Sequence, residues 1–443
     1  MAMVVKNNMS AVNTLNILNR NQSALAKSLQ KVSSGMKINN AGDDASGYAI
    51  SERMRVQIRS LDQDNQNTQN GNSMMRTAEG AVSSTVEILK TLKEKAINAA
   101  NDTNTDEDRR TIQKEINQMV DQIDDNALAT YNGKYLVDGS RNSVGTATCT
   151  TLSNSALSTE TVWTSALTSI QNRMGESLNI QSTDKLTVSY VRQGRTYTTT
   201  FEVGTNSLND ILTKTAFNGS ESFVGKDLLD STSTQNRAYI GKDKAGNSIF
   251  TADNKTAISI AAAGSGTTYQ ISSFTLSVMD NSGTLRKTAN NALDMFNERI
   301  RAENKSDDNA LVLQTGTKAN QAIKVSMTDM RSLALGLKGT DGSVLSVQTQ
   351  DRANAAINTL DSALQKALDE QANIGAVQTR LAYTSSNLST ASENVQNSES
   401  TIRDADMAKE MTNYTKNNVL LQAAQSMLAQ ANQNSSAVLS LLQ

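Results

Sequence analysis

Both ends of this chain carry apolar residues at a spacing of seven, and this repeat constrains the fold more than any other feature. Near the N-terminus the lines are Ala11, Leu18, Leu25 and Val32, with Leu15 and Leu29 beside them. Near the C-terminus they are Met407, Tyr414, Leu421, Leu428 and Leu442, interrupted only by Ser435, with Ala424, Ala431 and Val438 beside them. Because a sustained apolar heptad makes helices supercoil, the ends are predicted to form a coiled coil with each other or with other copies.

Two longer helices are predicted inside these ends. The first runs to about residue 100. Its apolar residues at a spacing of seven are Met54, Leu61, Met75, Val82, Leu89 and Ala96, and Thr68 is the one polar residue in this series. The second has the longest repeat in the chain: Leu360, Ala367, Ile374, Leu381, Leu388, Val395 and Ile402. A repeat of this length indicates a rod rather than an ordinary globular helix. Packing along the rod is assigned to Leu61, Met75, Leu89, Leu360, Ile374, Leu381, Leu388 and Val395.

The middle of the chain changes character, because residues 141–305 are rich in Ser, Thr, Gly and Asn. Alternation from Lys185 to Val203 predicts a hairpin around Arg192–Arg195. Further strands are predicted within Tyr239–Ile260 and Thr267–Met279, a helix over Ala292–Ala302, and a second hairpin from Leu311–Gln314 and Ile323–Met327. The predicted fold is therefore mainly α: a long antiparallel helical, coiled-coil rod built from both chain ends, with a β-rich (α+β) outer insert.

The symmetric order of elements predicts three parts. Residues 1–42 and 403–443 form a terminal coiled-coil domain, residues 43–140 and 306–402 form a helical rod domain, and residues 141–305 form one or more outer domains. Asp43 or Asp44 is expected to cap the second helix, and an acid–base pair is the weaker alternative. Thr105–Asp108 resembles a capping box. The polar stretch 62–72 is either a solvated helix face or a row of amides that pair between subunits.

Composition excludes several kinds of site. The chain has no histidine and one cysteine, so a Ser-His-Asp triad, an HExxH zinc site and an intramolecular disulfide are impossible. These exclusions leave a carboxylate-only enzyme formally possible, but we expect no enzyme activity, no cofactor and no metal. The net charge of -2 argues against nucleic-acid binding. No run is apolar enough for membrane insertion and no Sec-type signal is present, so the chain is expected to be cytoplasmic or exported by another route.

Several segments resemble bacterial flagellins. Residues 32–54 (VSSGMKINNAGDDASGYAISERM) are similar to the N-terminal signature of that family. Further landmarks are Ala78–Ala81, Tyr131–Lys134, Ile374–Arg380, Ser398–Asp406, Met427–Asn432 and Val438–Leu442. They cover roughly the first 140 and last 130 residues in the family's order, whereas 141–305 has no such match.

The resemblance implies a secreted, extracellular subunit that is exported unfolded and self-assembles into the helical flagellar filament for motility. It places the terminal helices in an inner tube, the rod in an outer tube and the insert on the surface. The residues expected to drive assembly are Leu15, Leu18, Leu25, Leu29, Val32, Tyr414, Leu421, Leu428, Val438, Leu439 and Leu442. The implied partners are other copies of the chain, the flagellar export apparatus, a flagellin export chaperone, the filament cap and hook-associated proteins. The absence of proline is consistent with fast refolding at a growing tip, or is a compositional accident.

Other functions are also compatible with the sequence. The runner-up is a hook–filament junction protein, and the insert could also act as an adhesin; a carboxylate-only glycosidase has no sequence signature here. Residues 81–120 align with the flagellin surface bound by the animal Toll-like flagellin receptor, where Glu115 matches a charge that is used. The usual arginine and leucine are Thr91 and Lys95 in this chain, so weakened recognition is expected.

Overall fold

A computed structural model describes residues 8–214, 238–251 and 253–441; for residues 212–214, 435 and 437–441 only the backbone is described. The N-terminal part is helical: α1 (Met9–Ser34), α2 (Ala45–Ala100) and α3 (Asp106–Ala127). The middle contains β1 (Thr130–Tyr131), β2 (Lys134–Tyr135), β3 (Thr151–Asn154), β4 (Lys185–Arg192), β5 (Arg195–Glu202), α4 (Leu208–Lys214), β6 (Tyr239–Lys242), β7 (Ser248–Phe250), β8 (Ile258–Ala261), β9 (Ile271–Met279), α5 (Lys287–Leu293), β10 (Phe296–Ile300), β11 (Leu311–Gln314) and β12 (Ala322–Val325). The C-terminal part returns to helix with α6 (Gln350–Arg403) and α7 (Met407–Leu441). The mainly α fold with a β-rich middle is therefore confirmed.

Local side-chain chemistry explains where the N-terminal helices begin and end. Helix α1 ends at Gly35, whose φ of 72° lies in the left-handed region that glycine adopts at low cost. Helix α2 follows Asp44, whose Oδ1 accepts hydrogen bonds from the Ser46 and Gly47 amides. At α3 the predicted capping box is present, with Thr105 and Asp108 bonded reciprocally.

Asp43 and Asp44 both stabilise the chain turn rather than forming an acid–base pair. The Oδ2 atom of Asp43 accepts hydrogen bonds from the Asn39 and Asn40 amides, each at 3.2 Å. These bonds favour the carboxylate and hold the pKa of Asp43 below its ordinary value. The capping interpretation is confirmed for Asp44.

The predicted hairpin around Arg192–Arg195 is confirmed. Strand β4 pairs antiparallel with both β5 and β9, so it is the central strand of its sheet. The turn residues Gln193 and Gly194 have φ values of 49° and 70°. Two consecutive positive φ values match the tight turn that suits the twist of a hairpin. A second sheet has the order β10-β3-β8, and β11 and β12 form the other predicted hairpin.

The predicted helix over Ala292–Ala302 is wrong. Helix α5 ends at Leu293, and Phe296–Ile300 forms strand β10. Strand β10 pairs antiparallel with β3, and this pairing buries Ile300 to 6% exposure. Pairing with a distant strand therefore overrides the local helix preference of this stretch.

Two hydrophobic cores are present among the described residues. The first joins α2, α3 and α6 with residues from 311–347, and Met75, Leu89 and Ile123 are fully buried in it. The second is built from the β-rich middle between Leu152 and Leu293, with Trp163, Tyr190 and Phe274 as its large members. The middle of the chain therefore has its own core.

By contact density the chain divides into two compact units. One lies within residues 1–68, 314–321 and 383–443, and the other within residues 69–313 and 322–382. The first contains the α1–α7 helix pair, and the second contains both hydrophobic cores. The three-part division stated above remains a prediction.

Candidate assembly surface

Helices α1 and α7 pack against each other as an antiparallel pair, and asparagine side chains connect them. Asn8 Nδ2 donates to the Ala431 carbonyl at 3.2 Å, and Asn21 Nδ2 donates to the Leu420 carbonyl at 3.1 Å. Polar side chains at a coiled-coil seam select one register over others. These bonds therefore define how the two terminal helices are aligned.

The α1–α7 seam buries small residues rather than large ones. Among the described side chains of the two helices, only Ser28, Ala424 and Ala431 are buried. The Ser28 hydroxyl accepts a hydrogen bond from Asn417 Nδ2 at 3.0 Å. The pair therefore brings its backbones together without enclosing a conventional leucine core.

Large apolar side chains remain on the outside of the pair. Leu29 is 52% exposed on α1 and Met427 is 61% exposed on α7. The other exposed members are Met9, Val12, Leu15, Ile17, Met407, Met411, Val419 and Leu420. We name these ten residues the terminal apolar surface. Large apolar side chains exposed in such number on two neighbouring helices mark an interaction site.

The residues predicted to drive assembly fall into three groups. Leu15 and Leu29 lie on the terminal apolar surface. Half-buried positions are occupied by Leu18, Leu25, Val32, Tyr414, Leu421 and Leu428. The side chains of Val438 and Leu439, and residue Leu442, lie outside the part of the chain that the structure describes.

Val419, Leu420 and Met427 were not among the predicted assembly residues, although they are exposed on α7. The sequence did contain a signal for them. Val419, Leu420 and Leu421 are consecutive, and three adjacent apolar residues cannot all lie on one helix face. Helix α7 is therefore apolar on more than the face that meets α1.

The predicted rod residues are mostly buried. Leu61, Met75, Leu89, Leu360, Ile374, Leu381 and Leu388 are each at most 9% exposed, and Val395 is half-buried. Five of them belong to the first hydrophobic core: Met75, Leu89, Leu360, Ile374 and Leu381. Their role in rod packing remains a prediction, and their burial is consistent with it.

Part of the polar stretch 62–72 bonds within the chain. Ser385 Oγ donates to Asn65 Oδ1 at 2.7 Å, and Ser392 Oγ donates to Asp62 Oδ1 at 3.0 Å. Asn65 Nδ2 also donates to Ser389 Oγ at 3.4 Å. Helices α2 and α6 are thus joined here by hydrogen bonds, an arrangement distinct from both alternatives considered for this stretch.

Arg403, at the end of α6, connects to the start of α2 and was not singled out from the sequence. Its Nη1 donates to Glu52 Oε1 at 2.6 Å, and its guanidinium lies 5.4 Å from the Tyr48 ring centre. The hydrogen bond from Arg403 holds the pKa of Glu52 below its ordinary value. The Arg403 carbonyl also accepts from the Lys37 amide at 2.8 Å. The one sequence feature that could have indicated a role for Arg403 is its position inside the Ser398–Asp406 segment, which resembles flagellins.

The three residues aligned with the receptor surface lie on α2 and α3. Lys95 Nζ is 2.8 Å from Glu115 Oε2, so these two side chains form an ion pair across the helices. The Thr91 hydroxyl donates to the Glu87 carbonyl at 3.0 Å. Glu115 is therefore engaged by a cation of its own chain.

The described residues contain no group of three or more His, Cys, Asp and Glu side chains placed to hold a metal ion. None of the described helices is both long and apolar enough to cross a membrane.

Comparison with known proteins agrees with this geometry. The family described as bacterial flagellin N-terminal helical region matches residues 5–142, and the bacterial flagellin C-terminal helical region matches residues 357–442.

The chain is 34% identical to the flagellin of Clostridium tyrobutyricum, covering 97% of this chain and 99% of that protein. It is 30% identical to the flagellin of Bacillus subtilis (strain 168), covering 99% of this chain and 100% of that protein. It is 28% identical to the flagellar filament 33 kDa core protein of Treponema phagedenis, covering 99% and 100% respectively. The chain therefore belongs to the bacterial flagellin family.

Proposed function

We propose that this flagellin polymerises through the terminal apolar surface. The protein is a structural subunit that assembles into the helical filament of the bacterial flagellum and serves motility. The observation that carries the proposed contact is the exposure of ten large apolar side chains on a helix pair that buries only small ones. Complete burial of a fully exposed side chain of this kind is worth about 1.5–3 kcal/mol, and these half-exposed side chains stand to gain about half of that when they are covered. A second copy of the chain offers the same surface and covers it on assembly.

The test is seeded polymerisation of the purified monomer, followed by electron microscopy. Leu29→Asp places a charge on the terminal apolar surface and is expected to abolish filament growth. Leu285→Asp is the matched control, because Leu285 is a similarly exposed leucine (49%) in the β-rich middle. Unimpaired growth of the Leu29→Asp protein from seeds would refute the proposed contact.

A variant that lacks residues 421–443 tests the contribution of α7 as a whole. No filaments are expected, because the deletion removes Met427 and the C-terminal part of α7, including Ala424 and Ala431 of the seam. Short rings from the intact chain, rather than long filaments, would instead indicate a junction protein. The curated relatives compared above are flagellins and a flagellar filament protein, which favours the filament role.

The proposed route to the filament is export of the unfolded chain by the flagellar export apparatus, with a flagellin chaperone before export and the cap and hook-associated proteins outside. Membership of the flagellin family supports this route. An extracellular position for the subunit follows from it. A strain whose flagellar export apparatus is inactivated, with Sec export intact, should retain the protein inside the cell. Its appearance in the medium of such a strain would contradict the route.

The proposed domain assignment places residues 1–42 and 403–443 in the inner tube, 43–140 and 306–402 in the outer tube, and 141–305 on the filament surface. The β-rich middle has a second hydrophobic core of its own, and this core supports the assignment of 141–305 as an outer part. The protein is structural, and no catalytic role is proposed. Deletion of residues 141–305 is expected to leave assembly-competent subunits that form thinner filaments.

Weak binding to the animal Toll-like flagellin receptor is also proposed. The Lys95–Glu115 ion pair supports it, because a receptor cation must displace Lys95 to reach Glu115. Lys95→Leu combined with Thr91→Arg is expected to strengthen binding of the receptor ectodomain to the monomer. Lys90→Leu is the control, since Lys90 pairs with Glu87 on the same helix. If the unaltered protein already binds as tightly as flagellins with arginine and leucine here, the proposal is wrong.

A further inference from the structure

A groove with a volume of about 970 Å³ lies beside the edge strand β10. It is lined by residues 294–301, by residues of the β6–β7 hairpin and by residues of α6. This volume is at the upper end of the range of ligand sites in proteins. None of the residues assigned above to assembly, rod packing or receptor binding lines this groove.

One side of the groove is apolar and accessible. Phe250 and Met295 are 49% and 51% exposed there. The Phe250 ring packs edge-on against Tyr239, with 5.7 Å between ring centres, so its orientation is held by a second aromatic residue. A fixed, exposed aromatic ring offers a flat apolar surface with a negative face. The C–H face of a sugar ring is a suitable partner for such a surface.

Helix α6 contributes a row of polar side chains to the lining. Asn358, Asp361, Gln365 and Asp369 follow one another every three or four residues, so they lie on one face of the helix. Carboxylates accept hydrogen bonds and amides both donate and accept them. A ligand with several hydroxyl groups matches this row.

The charged side chains that line the groove are paired with each other or with neighbouring residues, which disfavours the binding of ionic ligands. Lys244 pairs with Glu303 at 2.7 Å, and Arg301 pairs with Asp369 at 2.7 Å. Arg299 Nε donates to Ser153 Oγ at 3.3 Å. Six carboxylates and three cationic side chains line the groove, so an anion is repelled. The carboxylates already have partners within the chain, such as Lys93 for Asp361 and Asn358 for Asp294. An uncharged ligand that donates many hydrogen bonds fits this lining without breaking the ion pairs.

We propose that this groove binds an uncharged oligosaccharide. One sugar ring stacks on Phe250 while its hydroxyls bond to Gln365 and its neighbours on α6. The filament subunit thereby gains a carbohydrate-binding function that does not depend on polymerisation.

Saturation-transfer NMR with the full-length monomer tests the proposal, using maltotetraose, cellotetraose and mannotetraose as probes. Tetralysine and tetragalacturonate serve as the cationic and anionic comparisons. At least one neutral tetrasaccharide is expected to receive saturation from the protein. Phe250→Ala and Gln365→Ala are each expected to weaken its binding by about tenfold, the loss of one stacked ring or a few hydrogen bonds.

Two matched controls separate binding from folding. Tyr135→Ala removes an exposed aromatic ring outside the groove. Gln122→Ala removes a glutamine that bonds to the side chain four residues later, as Gln365 does. Both controls are expected to bind like the unaltered protein, and circular dichroism verifies that all variants are folded. The proposal is overturned if no neutral sugar receives saturation, if Phe250→Ala and Gln365→Ala bind it unchanged, or if only tetralysine binds.

Discussion

The α1–α7 pair and the first hydrophobic core use apolar residues in opposite ways. In the core, Met75 and Leu89 have no exposed surface, and three helices close around them. In the terminal pair, Leu15 and Leu29 are about half exposed while Ser28 is buried. The core is complete within one chain, whereas the terminal pair lacks a cover for its large side chains. Heptad spacing alone therefore does not distinguish a finished helix interface from one that requires further copies.

The largest effect that sharpens this comparison concerns the monomer. Leu89→Ala should lower the free energy of unfolding by about 2–5 kcal/mol, because it leaves a cavity in a closed core. Leu29→Ala should change it by no more than about 0.5 kcal/mol, because an exposed site loses little packing. Urea unfolding of both monomers gives the two values. Equal losses would mean that the terminal pair is as tightly packed as the core.

A smaller effect is expected at Arg403. Arg403→Met keeps an apolar stem but removes the bonds to Glu52 and Ser51. Local opening near the end of α6 should become about tenfold more frequent, equivalent to roughly 1.4 kcal/mol. Hydrogen exchange at the Lys37 and Ala405 amides, which bond to the Arg403 and Gly35 carbonyls, reports this opening. Unchanged exchange at both amides would show that the backbone bonds suffice.

The smallest effect concerns a buried carboxyl group in the rod interior and tests whether its burial lowers the stability of the folded protein. Glu370 is buried on α6, and burial raises the pKa of its carboxyl above the ordinary value. The folded protein then binds a proton more readily than the unfolded chain, so stability falls as pH rises from the unfolded pKa through the folded pKa. Glu370→Gln should remove this fall and should be more stable than the unaltered protein above that window.

The measurement is urea unfolding of the Glu370→Gln monomer between pH 4 and pH 8. Glu393→Gln, on an exposed position of the same helix, is the control and should follow the unaltered protein. A Glu370→Gln curve parallel to that of the unaltered protein would exclude a burial effect at this carboxyl.

Much of the fold followed from sequence because helix signals are local. The seven-residue spacing of Leu360 to Ile402 placed α6, and Thr105 with Asp108 placed the start of α3. The hairpin turn at Gln193 and Gly194 was similarly marked by its own residues. Periodicity and caps act over a few residues, so one sequence is enough to recognise them.

The features that sequence reasoning missed depend on distant partners. Strand β10 forms because it pairs with β3, and the residues Phe296–Ile300 contain no local signal that predicts this pairing. The same holds for Arg403, whose partner Glu52 lies 351 residues away. In α7, apolar residues on several faces left open which face meets α1 and which stays uncovered. Contacts between remote segments decide these cases, and spacing along the chain does not encode them.

The small residues of the α1–α7 seam also bear on the rate at which the pair opens. Separating the two helices removes no fully buried large side chain from its site, and it breaks only the few hydrogen bonds made by Asn8, Asn21 and Asn417. The activation barrier for separating the helices is therefore low compared with that of the closed core, where whole leucines must leave their sites. A subunit with such ends can open its terminal pair toward another copy while the closed core stays folded.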